Sequence, residues 1–234
     1  MERELYQDPW GDPVSLPAEK KQLYVCVSGN SGAGKSTLVR SIAADMYERD
    51  RGTIAIDEKS LHHPFISTLF FETASYGFQI QVNFMLQRVM LVQRWLDVGY
   101  NVVMERSHLE DVVFIRHLRN MGHVSAQEYD AYMRLWHCLD KRLPHPDLMI
   151  YLDVSPKTSL ARLQEDEDTG RRPREFPDEE LKAKWIYSWY QLYLERLEEL
   201  KDQPLPSTKV LVISEKDDSR STYKDALSAL GLNW

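Results

Sequence analysis

Lys35 and Ser36 close the run Gly29-Asn30-Ser31-Gly32-Ala33-Gly34-Lys35-Ser36, which fits the pattern G-x-x-x-x-G-K-[ST] in full. Its glycines let the backbone curl so that successive N–H groups face one point, a nest for phosphate oxygens. In that nest Lys35 would bridge the outer phosphates and the Ser36 hydroxyl would bind Mg²⁺. Thr37 follows at the mouth of a helix, whose N-terminal positive potential favours the same anions. A glycine-rich turn could match the pattern by chance, so the flanks decide. Residues 23–27 form an apolar, β-rich run that reads as a buried strand, and residues 37–44 open a helix with its apolar residues on one face. That is the context the motif requires. The chain is read as binding a nucleoside triphosphate.

Other chemistry-bearing residues cluster at predicted strand ends. The third strand ends in Glu105-Arg106-Ser107 and the second in Asp57-Glu58. In a parallel sheet ligands bind beyond the carboxyl ends of the strands, so these side chains should face the phosphate loop. Glu105 could hold Mg²⁺ or its waters, Arg106 could offset charge on a transferring group, and Glu58 could accept a proton from an attacking hydroxyl. Taken singly, each is equally a salt-bridged or solvated strand end. Gln81 and Arg88 lie seven residues apart on a long apolar helix, about 10 Å apart along one face. They form either a flat polar edge for a ring ligand or an internal ion pair beside an exposed glutamine. Asp111 is one partner available to Arg88.

The elements that must position these residues alternate strand and helix. Strands are expected at 23–27, 53–56, 101–104, 148–153 and 210–213. Helices are expected from 37, over 77–98, from the capping-box sequence at Ser125 to about 143, from Ser155-Pro156, over 181–200 and over 220–230. An irregular, proline-bearing arm covers 1–21, and an Arg-rich connection covers 166–178. The fold class expected is α/β: a five-stranded parallel sheet covered by helices on both faces, in one domain over 22–234.

Composition narrows the partners. The 234 residues carry 36 acidic and 29 basic side chains, a net charge of −7, which disfavours a broad nucleic-acid or acidic-membrane surface. No apolar stretch approaches the roughly 20 residues needed to span a bilayer. Cys26 and Cys138 are both read as core thiols of a reducing compartment, so the expected location is the cytoplasm.

Four features, taken in order, resemble the deoxynucleoside kinase family, in particular its deoxycytidine, deoxyguanosine and deoxyadenosine branch. They are Gly29–Ser36, Glu58 followed by His63-Pro64-Phe65, Gln81 through Arg88, and Glu105-Arg106-Ser107 with Asp111. The resemblance runs from about residue 23 to 200. It implies a P-loop kinase fold with an Arg-rich lid, ATP and Mg²⁺ as cofactors, and a nucleoside as substrate. Residue by residue it implies Glu58 as general base for the 5′-hydroxyl, Arg106 beside the transferred phosphoryl group, and Glu105 with Ser36 at the metal. Gln81 would pair with the base, extended by Arg88 and Asp111. Arg172 and Arg174 match the lid core, and Arg162 matches the arginine that packs on the ATP adenine. The family's helix-bundle dimer implies a homodimer, with apolar material at 126–143 and 181–200.

Three positions depart from that pattern. Phe70 stands where the family has a tyrosine for the sugar 3′-hydroxyl. Pro177 stands where a lid glutamate is expected, with Glu175 and Asp178 as neighbouring substitutes. The acidic run Glu165-Asp166-Glu167-Asp168 lengthens the lid. Phosphoryl transfer to a (deoxy)nucleoside, purine or deoxycytidine before thymidine, is the leading expectation. A kinase of a modified nucleoside or another hydroxyl compound follows it. A nucleoside monophosphate kinase would need further arginines for its acceptor. A non-catalytic relative is opposed by the joint presence of Lys35, Ser36, Glu58, Glu105 and Arg106.

Overall fold

The computed structural model describes residues 21–58 and 72–228. The arm before Lys21, and Phe70 with its neighbours, lie outside the described residues. Five strands, β1 (Tyr24–Gly29), β2 (Thr53–Ile56), β3 (Asn101–Glu105), β4 (Leu148–Asp153) and β5 (Lys209–Ser214), form one parallel sheet in the order β2-β3-β1-β4-β5. β1 is buried along its whole length. The chain leaves β1 for neighbours on either side, so its carboxyl end is the switch point of the sheet, where the crevice of such folds lies.

Strand alternation sorts the core into two layers. Val25, Val27, Val103, Ile150 and Leu152 face α1 (Lys35–Arg49) and α7 (Ser219–Ser228). Tyr24, Cys26, Val102, Met104 and Tyr151 face the opposite layer. That layer holds α2 (Thr73–Asp97), α3 (Asp111–Asn120), α4 (Ala126–Asp140) and α6 (Glu179–Asp202), while α5 (Pro156–Asp168) packs on α6. Register then sets the site. Ile56 pairs with Met104, so Glu58 and Arg106, each two residues further on, emerge level with one another.

Several expectations are corrected. α2 starts at Thr73 rather than at Gly77, because a buried glycine inside a well-packed helix costs only about 1 kcal/mol. α3 had no counterpart in the sequence reading. Its Val112, Val113 and Ile115 are weak helix formers, yet all three are buried in the core. The acidic run 165–168 does not lengthen a loop; it is the last turn of α5. The sheet carries helices on both faces as expected, with Val210 and Val212 exposed on the edge strand β5. Cys138 is exposed rather than in the core, and both cysteines are free. The stripes of 181–200 are consumed within the protomer, where Trp185, Ile186, Trp189, Leu192 and Tyr193 are buried.

Gly32 shows how tightly the phosphate loop is seated. Its φ is +75°, and a Cβ there would sit 2.5 Å from the Ser159 carbonyl oxygen and 3.0 Å from Leu163 Cγ. Gly170 has a similar φ of +70° with open space around it. Gly170→Ala should therefore cost only the left-handed backbone term, about 1–2 kcal/mol. Gly32→Ala should cost clearly more, read as a larger fall in the thermal unfolding midpoint together with weakened triphosphate binding.

Candidate active site

The loop after β1 is built on left-handed turns at Gly29, Gly32 and Gly34. Asn30 ties it to α6 by donating Nδ2 to the Ile186 carbonyl at 2.8 Å, while its Oδ1 accepts from the Ser31 N–H. Arg162 of α5 braces the other side through the Ala33 carbonyl, 3.2 Å away. Lys35 is buried. Its Nζ donates to the Asn30 carbonyl at 2.9 Å and lies 3.5 Å from Glu105 Oε1. Burial and then the nearby Arg106 charge lower its pKa. The Ser36 hydroxyl donates to Glu105 Oε2 at 2.8 Å, so the two groups assigned to Mg²⁺ already share one oxygen cluster. A hydroxyl and a carboxylate form a hard, oxygen-only donor set, which fits Mg²⁺.

Arg106 is the most constrained side chain of the site. It is 2% exposed and has a φ of +65°, the left-handed region that costs a non-glycine residue about 1–2 kcal/mol. Its Nε donates to Glu58 Oε1 at 3.0 Å, and its Nη1 reaches the Gly29 carbonyl at 3.2 Å and Glu110 Oε2 at 3.3 Å. The same nitrogen hydrogen-bonds the Tyr193 hydroxyl, which donates onward to Glu110 at 2.5 Å. The guanidinium lies 4.7 Å over the Phe114 ring. Burial works against its charge, but Glu58, Tyr193 and Glu110 raise its pKa well above the ordinary value. Glu58 keeps 37% of its side chain open to solvent. Desolvation pushes its pKa up, yet Arg106 and Lys35 outweigh that and hold it at about 2.

A cleft of about 1300 Å³ opens over these groups. Residues 31–37 of the loop, Glu58, Glu105 and Arg106 line it. Gln81, Arg88, Phe84, Phe114, Phe176 and Trp189 also line it, an aromatic box with two polar groups, in which Phe114 and Trp189 meet edge to face. Gln81 is buried there rather than exposed. Arg88 pairs with Asp111, and both are buried. Asp111 lies behind Arg88, fully buried, and does not line the cleft. Burial raises its pKa to about 6 against the pull of Arg88. Among the described residues, Arg88 Nε and Asp111 Oδ2 have no hydrogen-bond partner.

The Arg-rich connection at 169–178 contributes unevenly. Arg171, Arg172 and Glu175 line the cleft, with Arg172 Nη2 2.5 Å from Glu175 Oε2. Arg171 pairs with Glu165 and Asp166, which gives the acidic end of α5 a partner. Arg174 is exposed beside Glu179 and stands off the cleft. Of the two substitutes for the expected lid glutamate, Asp178 caps α6 through the Leu181 N–H, and Glu175 is the one at the cleft. Below the connection, Lys182 is buried between Glu167 and Glu179, at 2.8 and 2.9 Å. The sequence reading missed Glu110, Tyr193 and the aromatic box. Glu110 falls four residues after Arg106, a detectable signal, whereas Tyr193, Trp189 and Phe114 carried only the periodicity of core packing.

Residues 25–225 match the deoxynucleoside kinase family. Among curated proteins, a deoxyadenosine kinase of Dictyostelium discoideum is 26% identical over 185 residues, 78% of this chain and 71% of that protein. A deoxyguanosine kinase of Lactobacillus johnsonii is 25% identical over 214 residues, 88% of this chain and 92% of that protein. Among solved structures, deoxyadenosine kinase from M. mycoides with products dCMP and dCDP bound superposes with a TM-score of 0.70 at 19% identity, covering 89% of this chain and 99% of that one. A family match this long agrees with what the strand ends already display: the chain belongs to the deoxynucleoside kinase family and is, like its named relatives, an ATP-dependent phosphotransferase.

Proposed function

We propose that the protein transfers the γ-phosphoryl group of ATP to the 5′-hydroxyl of a (deoxy)nucleoside, with purine deoxynucleosides or deoxycytidine preferred over thymidine. The observation that carries this reading is the Glu58–Arg106 pair in the cleft that the phosphate loop and the aromatic residues also line. The loop N–H groups and Lys35 cradle the outer phosphates. Ser36 and Glu105 would hold Mg²⁺, which supplies charge neutralisation on the phosphate oxygens. A nucleoside whose base packs among the aromatic rings would present the 5′-hydroxyl of its sugar to Glu58. A carboxylate held at about 2 is ionised but a weak base. Arrival of anionic phosphate beside Arg106 and Lys35 offsets the positive potential that depresses it, so Glu58 gains proton affinity where transfer occurs. Arg106 meanwhile has its fork positioned for the developing charge. Arg172 and Arg162 supply further cations at the triphosphate, and Arg174 would have to swing inward to join them.

Base preference rests on the polar groups that line the cleft. Gln81 and Arg88 offer an acceptor and several donors to a base edge, and Asp111 holds the Arg88 guanidinium from behind. An exocyclic amino group beside a ring nitrogen matches the Gln81 amide, and thymine has no such amino group. Missing polar pairings of this kind discriminate strongly.

ADP release measured across the natural nucleosides with Mg²⁺ is the direct test, and Lys35→Ala should abolish it. Glu58→Gln should lower kcat by about 10²–10⁴-fold with far less effect on nucleoside affinity. Protein that binds ATP yet phosphorylates no nucleoside would refute the reading.

In the same panel, kcat/KM should favour purine deoxynucleosides or deoxycytidine, with ribonucleosides and 3′-modified nucleosides included because Phe70 offers no hydroxyl. Asp111 loses its charge as pH falls through about 6, which releases Arg88. KM for the preferred nucleoside should rise over that interval in the wild type, and Asp111→Asn should give the raised KM at every pH. Thymidine as best substrate would overturn the assignment.

The homodimer is proposed on a different face from the one expected for 181–200. Leu86 and Met90 of α2 are exposed, Met90 at 69%, beside half-buried Val82 and Leu91. Light scattering should give a dimer mass for the wild type and a monomer mass for Met90→Glu.

A further inference from the structure

His108, Asp140 and His145 converge away from the cleft. His108 Nε2 lies 3.0 Å from Asp140 Oδ1, and His145 Nε2 lies 2.9 Å from the same oxygen. The three ligand-capable atoms fall within 4.8 Å of one another, and the two imidazoles stack at 5.7 Å and 26°. They come from three separate elements. His108 sits on the 3₁₀ turn His108–Glu110, capped by Ser107, whose Oγ accepts from the Leu109 N–H. Asp140 is the last residue of α4, and His145 stands between Pro144 and Pro146 on the way into β4.

We propose that His108, Asp140 and His145 form a binding site for a borderline divalent transition ion such as Zn²⁺, separate from the Mg²⁺ site of the reaction. In a tetrahedral site with ligands at about 2.0–2.1 Å, neighbouring ligand atoms are about 3.3 Å apart. The two N···O separations need to open by only a few tenths of an ångström to reach that, and the two nitrogens already lie within 4.8 Å of one another. Two imidazoles and one carboxylate are a common zinc donor set and suit Co²⁺ equally, whereas Mg²⁺ prefers oxygen ligands alone.

Proton balance is simple. In the ion-free arrangement each ring shares its Nε2 proton with Asp140 Oδ1. When an ion binds, each neutral ring carries its proton on Nδ1 and presents the Nε2 lone pair, so no proton need leave the protein. The scaffold is held from outside the ligand set. Trp136 Nε1 donates to the His108 carbonyl at 2.7 Å, and the flanking prolines restrict the segment bearing His145. His108 is buried, while Asp140 and His145 keep 21% and 19% of their side chains exposed. Water therefore has access for a fourth ligand. An ion here would tie the end of α4 and the approach to β4 to the turn joining Arg106 and Asp111.

Co²⁺ titration of the chelator-stripped full-length protein, in excess Mg²⁺, tests the site. We expect one equivalent with the visible absorption of a four-coordinate ion, displaced by Zn²⁺. Asp140→Asn and His145→Ala should each weaken Co²⁺ binding at least about tenfold, and Cys138→Ser should leave it unchanged. Zn²⁺ at about 100 times its Kd should raise the unfolding midpoint of the wild type by about 5–10 °C and that of His145→Ala by much less. No band in the wild type, a band lost in Cys138→Ser, or wild-type affinity in both ligand variants would overturn the assignment.

Discussion

A guanidinium buried at the carboxyl edge of the sheet is the constraint from which the site follows. Taking one charge out of water costs several kcal/mol even after relaxation, so Arg106 demands partners on every side. It finds Glu58 from beyond β2, Gly29 from the phosphate loop, Glu110 from the following turn and Tyr193 from α6, with the Phe114 ring of α3 beneath it. Removing any one of them leaves a charge incompletely compensated. The left-handed backbone at Arg106 belongs to the same arrangement, since local strain persists only where surroundings over-determine it. Sheet register, loop position and helix packing are thereby fastened at one residue.

Four carboxyl groups within a short span carry different environments. Glu58 is partly open and held down to about 2 by Arg106 and Lys35. Glu105 takes the Ser36 hydroxyl and faces Lys35. Glu110 is fully buried, accepting from Arg106, Tyr193 and, at 3.8 Å, the Cys26 thiol. Asp111, adjacent in sequence, is raised to about 6 by burial although it holds Arg88. Neighbouring residues of one type are thus made distinct by whether water or a cation dominates their surroundings.

What was legible from the chain was whatever has local signature. The phosphate loop and the alternation of strand and helix were readable, because glycine turns and apolar runs announce themselves within a few residues; Arg88 on its apolar helix signalled the need for a partner, and Asp111 was one candidate that the family resemblance singled out. The Ser125 capping box and the Pro156 helix start were readable for the same reason. Less legible was anything decided by long-range packing. α3 hides behind β-branched residues whose helix is stabilised by burial against the sheet. Tyr193 and Trp189 carry the same periodicity whether they fill a core or wall a cleft. Asp111 is a candidate partner for Arg88 by residue type alone, but its depth behind that arginine depends on how α2 and α3 cross. Cys138, assigned to the core from residue type, lies on the exposed face of α4.

Lys182 gives the connection at 169–178 a mechanical character. One ammonium grips the last turn of α5 and the first turn of α6 together, at Glu167 and Glu179, and its side chain is 2% exposed. The segment between them is therefore a loop with a clamped neck, its ends already brought together before any ligand arrives. Closure entropy for such a loop is settled during folding, not on binding. Arg171, Arg172 and Arg174 all lie between these two tied ends. Each of those arginines rests on a carboxylate, Glu165, Glu175 or Glu179, and exchange of that rest partner for a polyanion is a local swap of charge at nearly constant shape.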